Sequence, residues 1–364
     1  MTSNKTISFS NSHRDFTNTL NKRVNDYFKT NGISKHANSE MIMKTIVMFS
    51  LYFIPYALIV SSVVSSMTGI ILLVIIMSLG LAGIGLSVMH DANHGAYSKE
   101  KWINTLVGYS LNLVGANSFN WKLQHNVMHH TYTNVHDEDE DISPRGVLRL
   151  EPHAPWKKIH KYQFVYAWFL YGLMTLVWLF YKDFYRIVKY HKTGLAKKQN
   201  ANIVNEWIIL ITTKLVYIGY IFVIPTLFTS LAWWQVILGI VIMHYIAGFL
   251  LAIIFQPAHV IEGTAYPLPD ADLTLENNWS VHQLLTTSNF GNKSRWFTWY
   301  VGGLNFQIEH HLFPNICHVH YSKISTIVKE TANEFGLPYR SARTFIGALG
   351  SHARILRQLG QQPM

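Results

Sequence analysis

Two long uncharged stretches divide the chain into apolar and polar blocks. No charged residue occurs from Thr45 to Met89, and none from Leu215 to Ile261. A break at residues 65–69 splits the first stretch, and one at 229–232, beside Trp233 and Trp234, splits the second. Each piece holds about 20 residues and as a helix covers roughly 30 Å, the thickness of a bilayer core. The pattern therefore predicts spans at about 45–65, 69–89, 207–228 and 233–255, arranged as two transmembrane helical hairpins. In the polar N-terminal segment 1–44, Phe16, Leu20, Val24, Tyr27 and Phe28 recur at helical spacing. They predict an amphipathic helix that either lies on the membrane or packs on the rest of the domain, 45–364. Residues 164–181 are uncharged, aromatic and of borderline length for a span.

Charge settles the expected topology. Of 30 Lys and Arg, seven lie in 1–44, fourteen in 95–205 and eight in 256–364; only Lys214 falls inside a span, and the hairpin turns carry none. Two hairpins put every basic block on one face, the cytoplasmic one by the positive-inside rule. Segment 164–181 must then stay in the interface, since a crossing would separate the blocks that flank it. The net charge of +10 is thereby assigned to topology and anionic lipid rather than nucleic acid. Charged residues make up only 14% of the chain against 49% apolar, as expected of an all-α membrane protein. No cleavable signal peptide is expected. The single cysteine, Cys317, excludes an internal disulfide and a cysteine-ligated iron–sulfur cluster.

Candidate chemistry sits where the spans end. His90 and His94 (HDANH) follow the second span, and His259 (FQPAH) ends the fourth. The central block holds HNVMHH, with His125, His129 and His130, and the last block holds QIEHH, with Gln307, His310 and His311. As an α-helix the central cluster would set His125 and His129 on one face, with His130 turned about 100° away. Eight imidazoles on one face are too many for one transition-metal ion and suit two. A zinc-protease H-E-x-x-H and the Glu-x-x-His of soluble di-iron bundles are both missing. The acidic run Asp137–Asp141 is expected to be a solvated loop. His136, His153, His160, His191 and His244 fit no ligand spacing; these and His282, His318 and His320 are expected to be structural, His244 hydrogen-bonding within the bundle.

In this order and between two hydrophobic hairpins, HDANH, HNVMHH and QIEHH resemble the integral-membrane fatty acid desaturase family, over roughly residues 40–335. Gln307, where most members have His, resembles the front-end subgroup, which places a double bond on the carboxyl side of a chain, as delta-5 and delta-6 enzymes do. The resemblance implies a cytosolic helical cap in which His90, His94, His125, His129, His130, His310 and His311, with His259, ligate a di-iron centre. Asp91, Asn93, Gln307 and Glu309 are the implied supporting residues around it. The implied reaction uses dioxygen and external electrons to remove two hydrogens from a membrane-associated acyl chain, leaving a cis double bond. Many eukaryotic front-end members carry a fused cytochrome b5 domain with an H-P-G-G motif; none occurs in this sequence, so a separate ferredoxin or cytochrome is expected as donor. A bacterial inner membrane is the expected location. The rival expectations are an alkyl or carotenoid hydroxylase on the same scaffold and a histidine-rich metal transporter.

Overall fold

The structure is a computed structural model that describes residues 7–143 and 146–361. It is helical apart from two-residue strands, β1 (Ser8–Phe9), β2 (Thr274–Leu275), β3 (Asn289–Phe290) and β4 (Ser341–Ala342), which pair in parallel as β1 with β2 and β3 with β4. The chain divides into two compact units. One comprises the residues up to His36, Gln124–Ala167 and those from Ile254 on; the other comprises Ala37–Leu123 and Trp168–Ile253.

The second unit is built on apolar helices. Four helices are long and apolar enough to cross a membrane: α2 (Ser39–Val60), α3 (Met67–Asn93), α7 (Ile203–Phe228) and α8 (Trp233–His259), the last ending in the other unit. The chain is a membrane protein. Where the sequence predicted a start near 45, α2 begins at Ser39, because the Asn38 side chain caps the Met41 amide. Ser66 caps Gly69 in the same way and starts α3. The two helices pack closely at Gly80, where a Cβ would come within 2.6 Å of the Tyr52 amide nitrogen. Segment 164–181 lies in α5 (Lys158–Gly172) and α6 (Met174–Lys192), a pair bent by 60° at its break.

Lys214 and His244, both buried in this unit, are paired. The Lys214 ammonium donates to Asp183 at 2.7 Å, to the Gly115 carbonyl at 2.7 Å and to the Trp178 carbonyl at 3.3 Å. His244 bonds through Nε2 to the Tyr217 hydroxyl at 2.6 Å and through Nδ1 to Thr175 at 3.1 Å, the structural role its sequence position implied.

The first unit has its own core. Phe16, Leu20 and Val24 on α1 (Arg14–Thr30) are buried against Val281, Leu284, Ile308, Leu312 and Ile324. The apolar stripe of α1 thus packs on the domain, which decides between the two alternatives the sequence left open. Its partners lie on α9 (Trp279–Thr286), α11 (Gln307–Leu312) and α12 (Tyr321–Glu334). Between them stand α10 (Arg295–Tyr300) and, after α12, α13 (Phe345–Leu359).

Candidate metal centre

The central cluster rides on α4 (Ser118–Lys122), which widens into a π-helical stretch at Leu123–His129. This changes the expected geometry. His130 N bonds to His125 O at 2.9 Å, five residues back, so His130 is not turned away. Its Nε2 lies 3.3 Å from His125 Nε2 and 3.0 Å from His310 Nε2. A second π-turn, Ile84–Val88, ends two residues before His90; such widened turns recur at functional sites.

Six of the candidate ligands lie in the first unit, and all six are buried: His125, His129, His130, His259, His310 and His311. The outer nitrogens of His129, His259 and His311 meet acceptors. His129 Nδ1 lies 3.0 and 3.1 Å from the two Asp139 oxygens, and His259 Nδ1 3.3 Å from the Thr286 carbonyl. His311 Nδ1 lies 2.9 Å from Gln283 Oε1, an amide whose Nε2 donates to the His130 carbonyl. His310 Nδ1 lies 3.3 Å from the Tyr321 hydroxyl. Carboxylate, carbonyl and amide oxygens only accept, so His129, His259 and His311 must carry a proton on Nδ1, which leaves Nε2 as the atom each neutral ring offers to a metal.

Those atoms converge. One ring nitrogen each from His129, His259 and His311 lies within 4.8 Å of the others, and the same holds for His130, His310 and His311. His259 Nε2 is buried with no hydrogen-bond partner among the described residues. Metal–imidazole bonds of about 2.1 Å set neighbouring ligand nitrogens roughly 3 Å apart, the spacing seen around His130. Lone pairs aimed at one another in a dry site repel unless a cation lies between them. The residues fit a transition metal.

In the second unit His94 N bonds to His90 O at 3.1 Å, so the two are α-helical neighbours, and both rings pack 5.5 Å from Trp121.

A model of the family described as fatty acid desaturase matches residues 65–343. The chain belongs to that family. It is 34% identical to the sn-1 linoleoyl-lipid 6-desaturase of Synechocystis over 96% of both chains. It is 37% identical to an acyl-lipid (8-3)-desaturase of Physcomitrium patens over 96% of this chain and 72% of that one. A probable delta(5) fatty acid desaturase of Dictyostelium discoideum is 32% identical over 95% and 76%. The protein is therefore an oxidoreductase, a fatty acid desaturase acting on lipid acyl chains, and its family uses iron.

In this desaturase the proposed supporting residues fall in different places. Asp91 Oδ1 is 3.9 Å from His90 Nδ1. The Asn93 amide donates to the Gly108 carbonyl at 3.4 Å. Glu309 accepts from Asn289 at 2.8 Å and Tyr339 at 2.9 Å; burial raises its carboxyl pKa to about 7 against the effect of those two bonds. Gln307 is fully buried, and neither amide atom has a hydrogen-bond partner among the described residues.

The acidic run corrects the sequence expectation. Asp139 is fully buried, and besides His129 its carboxylate accepts the Asn134 and Asp141 amides at 2.9 Å each. Asp141 accepts from Gln124 and lies 3.8 Å from His125 Nδ1. Of the five acids only Asp137 is exposed. Burial disfavours the charged His129 ring, but Asp139, with Asp141, outweighs it and lifts the metal-free pKa to about 8. A carboxylate on the outer nitrogen of a ligating histidine fixes its tautomer and strengthens it as a donor. Sequence reasoning missed Asp139, Gln283, Thr286 and Tyr321. The available signal was the proximity of Asp139 to the central cluster, ten residues beyond His129.

Proposed function

We propose that the chain is a front-end desaturase that places a cis double bond in an unsaturated acyl chain of a membrane glycerolipid. The substrate class is supported by relatives whose names specify linoleoyl-lipid 6-desaturation and acyl-lipid (8-3)-desaturation, and by Gln307 at the head of the third box. The observation that carries the chemistry is the set of imidazoles whose Nδ1 atoms are held by acceptors and whose Nε2 atoms face inward. The ligands of a di-iron centre are His90, His94, His125, His129, His130, His259, His310 and His311. For His90 and His94 the support is the order and spacing of the boxes. Bound iron supplies the oxidising chemistry, by which dioxygen, with external electrons, takes two hydrogens from neighbouring methylenes.

The chain's own groups do the rest. Asp139, the Thr286 carbonyl and Gln283 hold three rings in one tautomer and Tyr321 orients a fourth, so little reorganisation is needed when metal binds. Burial of these histidines keeps water from the reacting methylene. The buried amide of Gln307, on the helix that carries His310 and His311, would offer both a donor and an acceptor beside a bound metal. The four apolar helices form two hairpins, with termini and histidines on the cytoplasmic side of a bacterial inner membrane, and segment 164–181 in the interface. A separate ferredoxin or cytochrome brings the electrons.

The test is fatty-acid methyl ester analysis of cells expressing the protein and fed linoleate, beside a His129→Ala control. A more unsaturated product with its new bond on the carboxyl side, absent from the control, is expected. A hydroxylated product, or no new lipid from metal-loaded protein with a competent donor, would overturn the reading.

A further inference from the structure

The two most exposed large apolar side chains among the described residues are Trp296, 86% exposed, and Ile346, 74% exposed. Both belong to the first unit. They are presented deliberately. Ser294 caps α10 by accepting the Phe297 amide, which turns Phe297 inward and leaves Trp296 outside. Phe297 packs on Phe345 at 4.8 Å between ring centres, and both pack on Phe290. With β3 paired to β4, this aromatic cluster holds the start of α10 beside the start of α13.

Around the two apolar tips stand Lys293, Arg295 and Arg343, all exposed. No Asp or Glu occurs from 289 to 300 or from 341 to 354. A protruding indole and an aliphatic tip whose charged chain neighbours are all cations are poor chemistry for water and good chemistry for the headgroup layer of an anionic bilayer. There indoles take the interface and each Lys or Arg meets a negative surface potential. A protein-binding patch is usually bordered by mixed polar groups that set its register; this one carries a single sign of charge.

We propose that the α10/α13 face is a membrane-interface anchor. Trp296 and Ile346 insert at headgroup depth, and Lys293, Arg295 and Arg343 bind anionic lipid headgroups. From α10 the chain reaches α11, which carries His310 and His311, through Val301–Phe306, a segment buried throughout. Insertion of Trp296 therefore fixes the height of the third histidine box over the lipid that supplies the acyl chain. The anchor does not depend on the metal.

The test uses the full chain in vesicles. Cys317 is buried, so a nitroxide can be placed selectively in Trp296→Cys, in Ile346→Cys and, as a control, in Asp272→Cys, an exposed position in a polar loop. Collision with dioxygen and with a water-soluble nickel chelate is then read in phosphatidylglycerol-containing vesicles. The expected result is at least a tenfold higher oxygen-to-nickel accessibility ratio at 296 and 346 than at 272. It should fall at least threefold in vesicles of neutral lipid alone, or in a Lys293→Gln/Arg295→Gln/Arg343→Gln background. Equal ratios at all three positions overturn the proposal, as does a label at 296 that is shielded only when an acidic electron carrier is added. Shielding that ignores both lipid charge and the triple substitution overturns the assignment of the three cations.

Discussion

Two sets of buried histidines behave in opposite ways. His244 in the second unit has both ring nitrogens engaged, one by a hydroxyl of Tyr217 and one by Thr175. His129, His259 and His311 in the first unit have one nitrogen held by an acceptor and the other aimed at its neighbours. The contrast teaches that burial alone does not mark a ligand. Donor–acceptor accounting does: a ring satisfied at both nitrogens is part of the packing, whereas converging unprotonated nitrogens require a cation. The acids differ in the same way. Asp183 neutralises Lys214, while Asp139 holds one nitrogen of His129, whose ring belongs to a group that could hold a metal ion.

The sharpest way to break this comparison is to remove one ring from each set. His129→Ala should abolish desaturation, more than a hundredfold, and cost at least half the bound iron measured by metal analysis. His244→Gln should leave iron content unchanged and cost about 1–3 kcal/mol of stability through its lost hydrogen bonds. Comparable iron loss in both variants would erase the distinction. Next in size, Lys214→Met should destabilise the protein by roughly 3–5 kcal/mol in thermal unfolding, because it strands the buried Asp183 carboxylate. Lys214→Met/Asp183→Leu should recover most of that loss; failure to recover would mean that the carbonyl bonds to Gly115 and Trp178 dominate.

Metal-free protein should show the contrast as opposite pH responses. Burial, opposed only by the bond to the Thr133 carbonyl, lowers His282 to about 4, and burial likewise lowers His352 to about 4, against its bond to Val260. Their native forms are neutral. The stability they contribute is present above about pH 6.5 and is lost as pH falls towards 4, at about 1.4 kcal/mol per pH unit for each group. His129, raised to about 8, works the other way: its pairing with Asp139 is fully present below about pH 6.5 and fades as pH rises through 8. Unfolding midpoints measured from pH 4 to 9 should therefore fall at the acid end in wild type, His282→Gln blunting that fall. Asp139→Asn should remove the alkaline loss. The smallest expected effect is also on Asp139→Asn: a 10–100-fold weaker iron affinity with the metal-bound fold kept, read by competition with a chelator.

The sequence alone determined the membrane character and the residue type of the candidate metal centre. Uncharged runs of about 20 residues have few physical solutions besides helices in lipid, and three histidine boxes at fixed spacing point to metal because so many imidazoles have no other common use. The helical stripe of α1 was equally legible, but not what it packs on, because a stripe has no address. Tertiary structure decided what spacing along one helix cannot. The π-turn at Leu123–His129 rotated His130 back towards His125 and His310, a change in hydrogen-bond register that residue propensities do not encode. The burial of Asp139 was illegible for a different reason. Five consecutive acids read as a solvated loop because isolated buried carboxylates are costly. That cost is offset only by partners at the site, the His129 ring and the Asn134 and Asp141 amides, which the folded chain brings round one carboxylate.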